Sequence, residues 1–343
     1  MPCDALTDLA VRAADVLEDA YLPTPTRRLP RLFPGASAQI HAKLDNLQLA
    51  GSVKERTAAA LLSGLIRDGL LTDGGTVVES TSGNLGIALA RHCALLGIDF
   101  IAVVDERANE AACQTMTAYG ARLDRVATPP DGNRLAARVR RVRELLESIP
   151  GGVTTNQYGN PDNPGVHQRT TFPELVDALG HAPTHLYVAM STTGTLLGVQ
   201  RAIEEGGHRT LLVGVDVEGS ALFGGETGNR LLPGLGAGFE TELSRSARPD
   251  AVHRIPESEI VLGSRLLARR EGILAGASTG AIVAAIGRDL PLLDADAVVA
   301  FIVHDTGLPY LPTVFDDGWV HANLGDEGLD PDRLAADDPF AAA

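Results

Sequence analysis

Short apolar runs alternate along this chain with longer stretches whose apolar positions recur every three to four residues. Ala38–Leu44, Thr76–Glu79 and Phe100–Val104 have the length and composition of buried strands. So do Leu186–Ala189, Leu211–Val215 and Ala297–Val303. The spacing predicts helices over Val53–Gly69, Asn84–Gly97, Leu135–Ser148, Leu196–Glu205, Glu257–Glu271 and Ala281–Asp289. Such alternation predicts an α/β protein with largely parallel sheets and right-handed crossovers. In sheets of that kind ligands gather at the carboxyl ends of the strands, where strand-to-helix turns lie. Proline and glycine cluster at Pro150–Gly152 and Asn160–Gly165, which marks a candidate boundary, and no solenoid period recurs.

Composition narrows the function classes. At 343 residues the chain has room for two domains, and 44% hydrophobic with 21% charged residues is the balance of a soluble globular protein. A net charge of -15 argues against a general nucleic-acid binder. The run Arg138, Arg140, Arg141, Arg143 shares its predicted helix with Glu144 and Glu147, as a solvated face would. Cys3, Cys93 and Cys113 lack metal-ligand spacing, so no metal site is expected and reduced cytoplasmic thiols are the plain reading. The N-terminus carries Asp4 and Asp8 without a long apolar core, and Ile98–Val104 is too short to span a bilayer. The expectation is a cytoplasmic protein with small-molecule partners, no membrane or nucleic-acid partner, and a frayed tail after about residue 325.

Lysine is nearly absent: of 29 Lys+Arg residues, two are lysines, Lys43 and Lys54. Lys54 lies in Gly51-Ser52-Val53-Lys54-Glu55-Arg56, a small-residue turn that opens an apolar helix. Arginine stays protonated, whereas a partly buried lysine can lose its proton and form a Schiff base with an aldehyde. A surface lysine at a helix start is the bland alternative.

Three further segments sit on turns of the same kind. Glu79-Ser80-Thr81-Ser82-Gly83-Asn84-Leu85-Gly86 offers hydroxyls and helix N-terminal amides suited to a carboxylate or phosphate. Ser191-Thr192-Thr193-Gly194-Thr195 has the chemistry of a phosphate cup but lacks the lysine of a nucleotide-hydrolysing loop. Gly276-Ala277-Ser278-Thr279-Gly280-Ala281 presents a neutral hydroxyl able to bond a pyridine nitrogen without protonating it. Hydroxyl-rich helix caps with glycine for close packing account for each segment taken alone.

Taken in order, the lysine, the carboxylate-type loop, the cup and the serine turn resemble the β-family, or fold type II, of pyridoxal-phosphate enzymes, typified by cysteine synthase and cystathionine β-synthase. The resemblance covers roughly Leu22 to Trp319. It implies that Lys54 carries the Schiff base and serves as the catalytic base. Asn84, Ser191, Thr192, Thr193, Gly194, Thr195 and Ser278 would hold the cofactor. Ser80, Thr81 and Ser82 would bind the substrate carboxylate, as would Gln157 in Asn156-Gln157-Tyr158, which looks like the family's Gln-Gln-Phe. The fold implied is two three-layer α/β domains with mainly parallel sheets. Residues 1–46 and 157–343 would form the larger, phosphate-holding domain, and 47–156 a smaller mobile domain closing over substrate. Members of the family are usually homodimers.

Departures from the cysteine synthase pattern point within the family. Leu85 replaces a threonine, and the cup opens with serine and has a second threonine in place of glycine. Val215–Gly224 and Asn229–Gly236 look similar to the N-(2-amino-2-carboxyethyl)-L-glutamate synthases of 2,3-diaminopropionate biosynthesis, which serve siderophore and peptide-antibiotic pathways. That branch implies β-replacement joining O-phospho-L-serine to L-glutamate. Arg138, Tyr158 and Ser191 are then candidates for the phosphate or the glutamate, with Arg169 and Arg230 as further cations. The alternatives are a cysteine or other β-substituted alanine synthase using O-acetyl- or O-phosphoserine, and a cofactor-binding sensor without turnover.

Overall fold

A computed structural model describes residues 8–18, 20–81, 83–129 and 134–329. In chain order its main elements are α1 (Asp8–Glu18), β1 (Thr26–Arg28), β2 (Gln39–Lys43), α2 (Lys54–Arg67), β3 (Thr76–Ser80), α3 (Asn84–Leu96) and β4 (Asp99–Asp105). There follow α4 (Glu110–Ala118), β5 (Arg122–Val126), α5 (Arg134–Ser148), β6 (Gly152–Val153), α6 (Asp162–Arg169), α7 (Thr171–Leu179) and β7 (His185–Ala189). The last are α8 (Gly194–Glu205), β8 (Leu211–Val217), β9 (Ala251–Ile255), α9 (Glu257–Glu271), α10 (Ala277–Asp289), β10 (Val298–Ile302) and α11 (Asp317–Leu324). Two compact units result. The first holds the described residues of Met1–Leu22, Gln48–Ala50 and Lys54–Val166, the second those of Pro23–Leu47, Gly51–Val53 and His167–Ala343.

The first unit is built on a parallel sheet in the order β5-β4-β3-β6. Successive strand residues point to opposite faces, so its central strands must be apolar on both. Val77, Phe100, Ala102 and Val104 pack into one core with α1 to α4. Val78, Ile101 and Val103 pack on the other face against Val142 and Leu145 of α5. The second unit repeats the plan on six strands, β1-β2-β10-β7-β8-β9, parallel except for β1 against β2. Tyr187, Val215 and Phe301 face α9 and α10, while Leu186, Val188 and Ile302 face α7 and α8. Both units are three-layered, with mainly parallel sheets.

The strands that periodicity overlooks, β1, β5, β6 and β9, all lie at sheet edges. An edge strand is wet on one side and does not need a continuous apolar run, so Arg122–Val126 reads as polar sequence. Helices α1, α4, α6, α7 and α11 are also absent from that reading. In α6, Pro164 stands in the first turn, where its missing N–H costs nothing, so a segment rich in breakers still begins a helix. The described residues of 1–22 group with the first unit, whereas the family resemblance placed 1–46 in the larger domain. The cause is local: Leu9, Ala13 and Leu17 of α1 lie in that unit's core, and Arg12 pairs with Asp73 at 2.7 Å.

Candidate active site

Within the first unit, the predicted substrate residues stand at the carboxyl ends of the strands. Ser80 ends β3, and the Thr81 amide donates to the Val103 carbonyl of neighbouring β4 at 3.2 Å. Gln157 follows β6; its side-chain amide donates to the Ser80 carbonyl at 3.4 Å, and Asn163 donates to the Gln157 carbonyl at 2.8 Å. Asn156 takes φ +50°, a left-handed conformation that asparagine tolerates and that turns the chain here. Asn84 is the first residue of α3, whose cap Gly83 supplies no side chain to its N-terminal amides. Position 86 must be glycine, because a Cβ would collide with Met116 and Thr81. The Ser80 hydroxyl is buried without a hydrogen-bond partner, an expensive state that a bound polar ligand would relieve.

Lys54 is the first residue of α2 and is half-buried. The two charged residues after it are fully buried. Glu55 accepts from the Ala50 amide at 2.5 Å and from Arg91 at 2.7 Å, and His92 Nε2 lies 2.9 Å from it. Arg56 lies over the Tyr21 ring, 5.3 Å from its centre, and donates to the Leu22 carbonyl. These charges pin the start of α2 and with it the backbone of Lys54. Sequence reasoning passed them over; the available signal was a Lys-Glu-Arg run opening an otherwise apolar helix. Glu79 was also passed over. Burial pushes its carboxyl up, opposed by bonds from Thr155 at 2.5 Å and Thr154 at 3.1 Å, which tie β3 to the segment after β6.

In the second unit the cup joins β7 to α8. Thr193 is the helix cap with φ +72°, a strained conformation for a β-branched residue that aims successive amides at one point. Its hydroxyl is buried without a partner. Ser191 donates to the Gly236 carbonyl at 3.2 Å, and Gly236 donates back to the Met190 carbonyl at 2.7 Å, so the glycine-rich loop braces the cup. An orphaned hydroxyl beside the N-terminus of a 12-residue helix fits a phosphate. Ser278 lies in the first turn of α10 and donates to Asp305 at 3.4 Å; Tyr310 donates to the other oxygen of Asp305 at 2.8 Å. Gly280 lets α9 and α10 touch, since a Cβ there would strike the Ile260 carbonyl.

Arg138 is mostly buried and pairs at 2.8 Å with Asp105, at the carboxyl end of β4, so it is no part of a solvated face. Tyr158 is half-buried after Gln157, Arg169 is exposed on α6, and Arg230 donates to the Leu235 carbonyl at 3.0 Å. Ser82 lies outside the described residues. Leu85 belongs to the apolar core. Cys93 and Cys113 are buried, and burial pushes the Cys93 thiol up to about 12, away from nucleophilic use. Among the described residues no group of His, Cys, Asp and Glu could hold a metal ion, and no helix is long and apolar enough to cross a membrane.

Lys54 opens α2, the hydroxyl-rich segment 191–195 joins β7 to α8, and Ser278 stands in the first turn of α10, which follows helix α9 rather than the strand its sequence predicts. These are the features expected of a pyridoxal-phosphate enzyme of fold type II. The chain belongs to that family: the description "Pyridoxal-phosphate dependent enzyme" matches residues 17–305. Among named relatives, N-(2-amino-2-carboxyethyl)-L-glutamate synthase of Ralstonia nicotianae is 39% identical over 308 residues, 90% of this chain and 91% of that protein. The structure of O-acetylserine dependent cystathionine beta-synthase from Helicobacter pylori matches with a TM-score of 0.80 at 31% identity, over 87% of this chain and 97% of that one. O-ureido-L-serine synthase matches with a TM-score of 0.79 at 31% identity, over 93% and 98%.

Proposed function

We propose that this enzyme performs β-replacement on O-phospho-L-serine with L-glutamate, giving N-(2-amino-2-carboxyethyl)-L-glutamate and phosphate. The observation that carries the reading is the 39% identity to the Ralstonia synthase, sustained over nine-tenths of both chains. Two local features support it. The segments Val215–Gly224 and Asn229–Gly236 look similar to that branch, and Arg138 of α5 pairs with Asp105 at the carboxyl end of β4, the end at which the substrate-type residues of its unit lie. A substrate pair carrying a phosphate and three carboxylates calls for such a cation, where sulfide would not.

Bound pyridoxal phosphate supplies the electron sink that loosens the Cα proton of an amino acid. The remaining work falls to side chains. Lys54 would anchor the cofactor, and its free amine would take the Cα proton and later return it. Thr81 and the amides opening α3 receive the substrate carboxylate, helped by Ser80, Ser82 and Gln157. Asn84 would contact the cofactor ring, and residues 191–195 would hold its phosphate. Ser278 would offer the pyridine nitrogen a neutral hydroxyl, which does not protonate it and so suits β-elimination chemistry. Arg138, Tyr158 and Ser191 serve the leaving phosphate or the incoming glutamate.

The test is to give the holoenzyme phosphoserine and follow phosphate with and without glutamate, identifying products by mass spectrometry. Release should depend on glutamate, and release indifferent to glutamate sinks the reading. A second reading, synthesis of cysteine or another β-substituted alanine, draws support from the solved relatives whose names carry O-acetylserine and O-ureidoserine chemistry. Cysteine formed from acetylserine and sulfide faster than the glutamate adduct forms from phosphoserine would favour it. We extend the proposal to a cytoplasmic homodimer that supplies 2,3-diaminopropionate to siderophore or antibiotic assembly; gel filtration at working concentration tests the dimer.

A further inference from the structure

His167, a second-unit residue in the latter half of α6, is fully buried and has no part in the chemistry above. Its Nδ1 lies 2.9 Å from the Thr171 hydroxyl and its Nε2 lies 3.3 Å from the Thr195 hydroxyl. Thr195 is the last residue of the cup and is itself buried, as is Thr171. A neutral imidazole has one N–H donor and one acceptor nitrogen, so this chain of three groups has two proton arrangements. In one, Thr195 donates to Nε2 and turns an oxygen lone pair toward the cup. In the other, Thr171 donates to Nδ1, the Nε2–H donates to Thr195, and the Thr195 proton is free for an acceptor at the start of α8.

We propose that His167 is a positioning residue that holds Thr195 as a donor to the phosphate group bound at residues 191–195. The inference rests on the reading of that segment as the phosphate cup. An anion there favours the second arrangement, because a hydroxyl that donates to it is stabilised and one that presents a lone pair is repelled. The Thr193 hydroxyl, buried without a partner, is the second group of the cup whose proton awaits the same acceptor. Relaying the order through a neutral ring avoids burying a cation beside the helix start, where the N-terminal amides already supply positive potential.

Two substitutions separate this role from simple packing. His167→Gln places an amide nitrogen where Nε2 stood and can still donate to Thr195; His167→Asn ends near Nδ1 and cannot reach it. Cofactor affinity, measured by fluorescence titration of the apoenzyme with pyridoxal phosphate, should fall about tenfold in His167→Asn and less than about threefold in His167→Gln. The 31P resonance of the bound cofactor should shift in His167→Asn alone, and 15N spectra of the unmodified holoenzyme should show His167 protonated on Nε2. A neutral ring protonated on Nδ1 overturns the proposal whether or not either variant folds. So does wild-type affinity in a folded His167→Asn. Thr195→Val locates the failure: if it weakens cofactor binding while His167→Asn does not, the relay alone is wrong. If Thr195→Val is also without effect, the cup reading falls and the relay with it.

Discussion

The two lysines of this chain lie in different units and in opposite kinds of surroundings. Lys43, on β2, is fully buried and saturated: its ammonium donates to Glu174 at 2.5 Å and to Thr24 at 2.8 Å, with Asp45 at 3.7 Å. Thr24 in turn bonds Asp45. Lys54 is only half-buried, and the packed charges at its turn belong to its neighbours Glu55 and Arg56. One lysine is structure, the other is held at the edge of structure by residues that absorb the burial on its behalf. The same distinction separates the polar groups around them. Those of the Lys43 cluster are bonded to one another, while the hydroxyls of Ser80 and Thr193 are buried with nothing to bond. Saturated polar clusters fix a fold, whereas a buried hydroxyl left unsatisfied gains free energy from any polar ligand that reaches it.

The contrast breaks most sharply at the lysines themselves. Lys54→Ala and Lys54→Arg should both abolish turnover and the visible absorbance of covalently held cofactor, with urea midpoints little changed; retained absorbance in Lys54→Arg would remove Lys54 from its role. Lys43→Met should do the reverse, costing about 3–5 kcal/mol in urea unfolding because Glu174 and Asp45 lose their cation. Surviving protein should keep its turnover rate.

Asp216 tests the cost of an incompletely satisfied group at the end of β8. Burial pushes its carboxyl up to about 6, against bonds from Ser220 and Val217 and the nearby charges of Arg230 and Arg254. The folded-state value exceeds the unfolded one, so the folded protein holds this proton more tightly. Its ionisation above about 6 therefore costs stability that returns as pH falls toward 4. Asp216→Asn should be more stable than the natural protein by roughly 2–3 kcal/mol at pH 8 and no more stable at pH 4. A difference independent of pH would assign the effect to packing. The smallest effect is expected at Thr193→Gly. Release from φ +72° should stabilise the apoprotein by about 1 kcal/mol while weakening its hold on the cofactor, both readable by thermal melts with and without pyridoxal phosphate.

Much of the candidate site is legible in sequence because its parts are local. A helix start needs its cap beside it and a phosphate cup needs consecutive amides, so Lys54, Asn84, residues 191–195 and Ser278 all fall in short runs. Helices α9 and α5 and the central strands were legible for the same reason, through periodicities of a few residues. What escaped was held by partners far along the chain. Arg138 reads as one of four arginines on a polar helix, and only the end of β4, 33 residues away, makes it a buried ion pair. His167 and Thr195 are 28 residues apart. Glu79 and Thr155 are 76 apart.

The sequence by itself determined the alternating layers, the order of the chemical loops and the family they define, because strand and helix patterns and strand-end motifs are written in neighbouring residues. The tertiary structure decided which charges are buried, which lysine is structural, and which hydroxyls are left without partners. Those are properties of desolvation, and desolvation depends on everything that packs around a group rather than on the residues beside it in the chain.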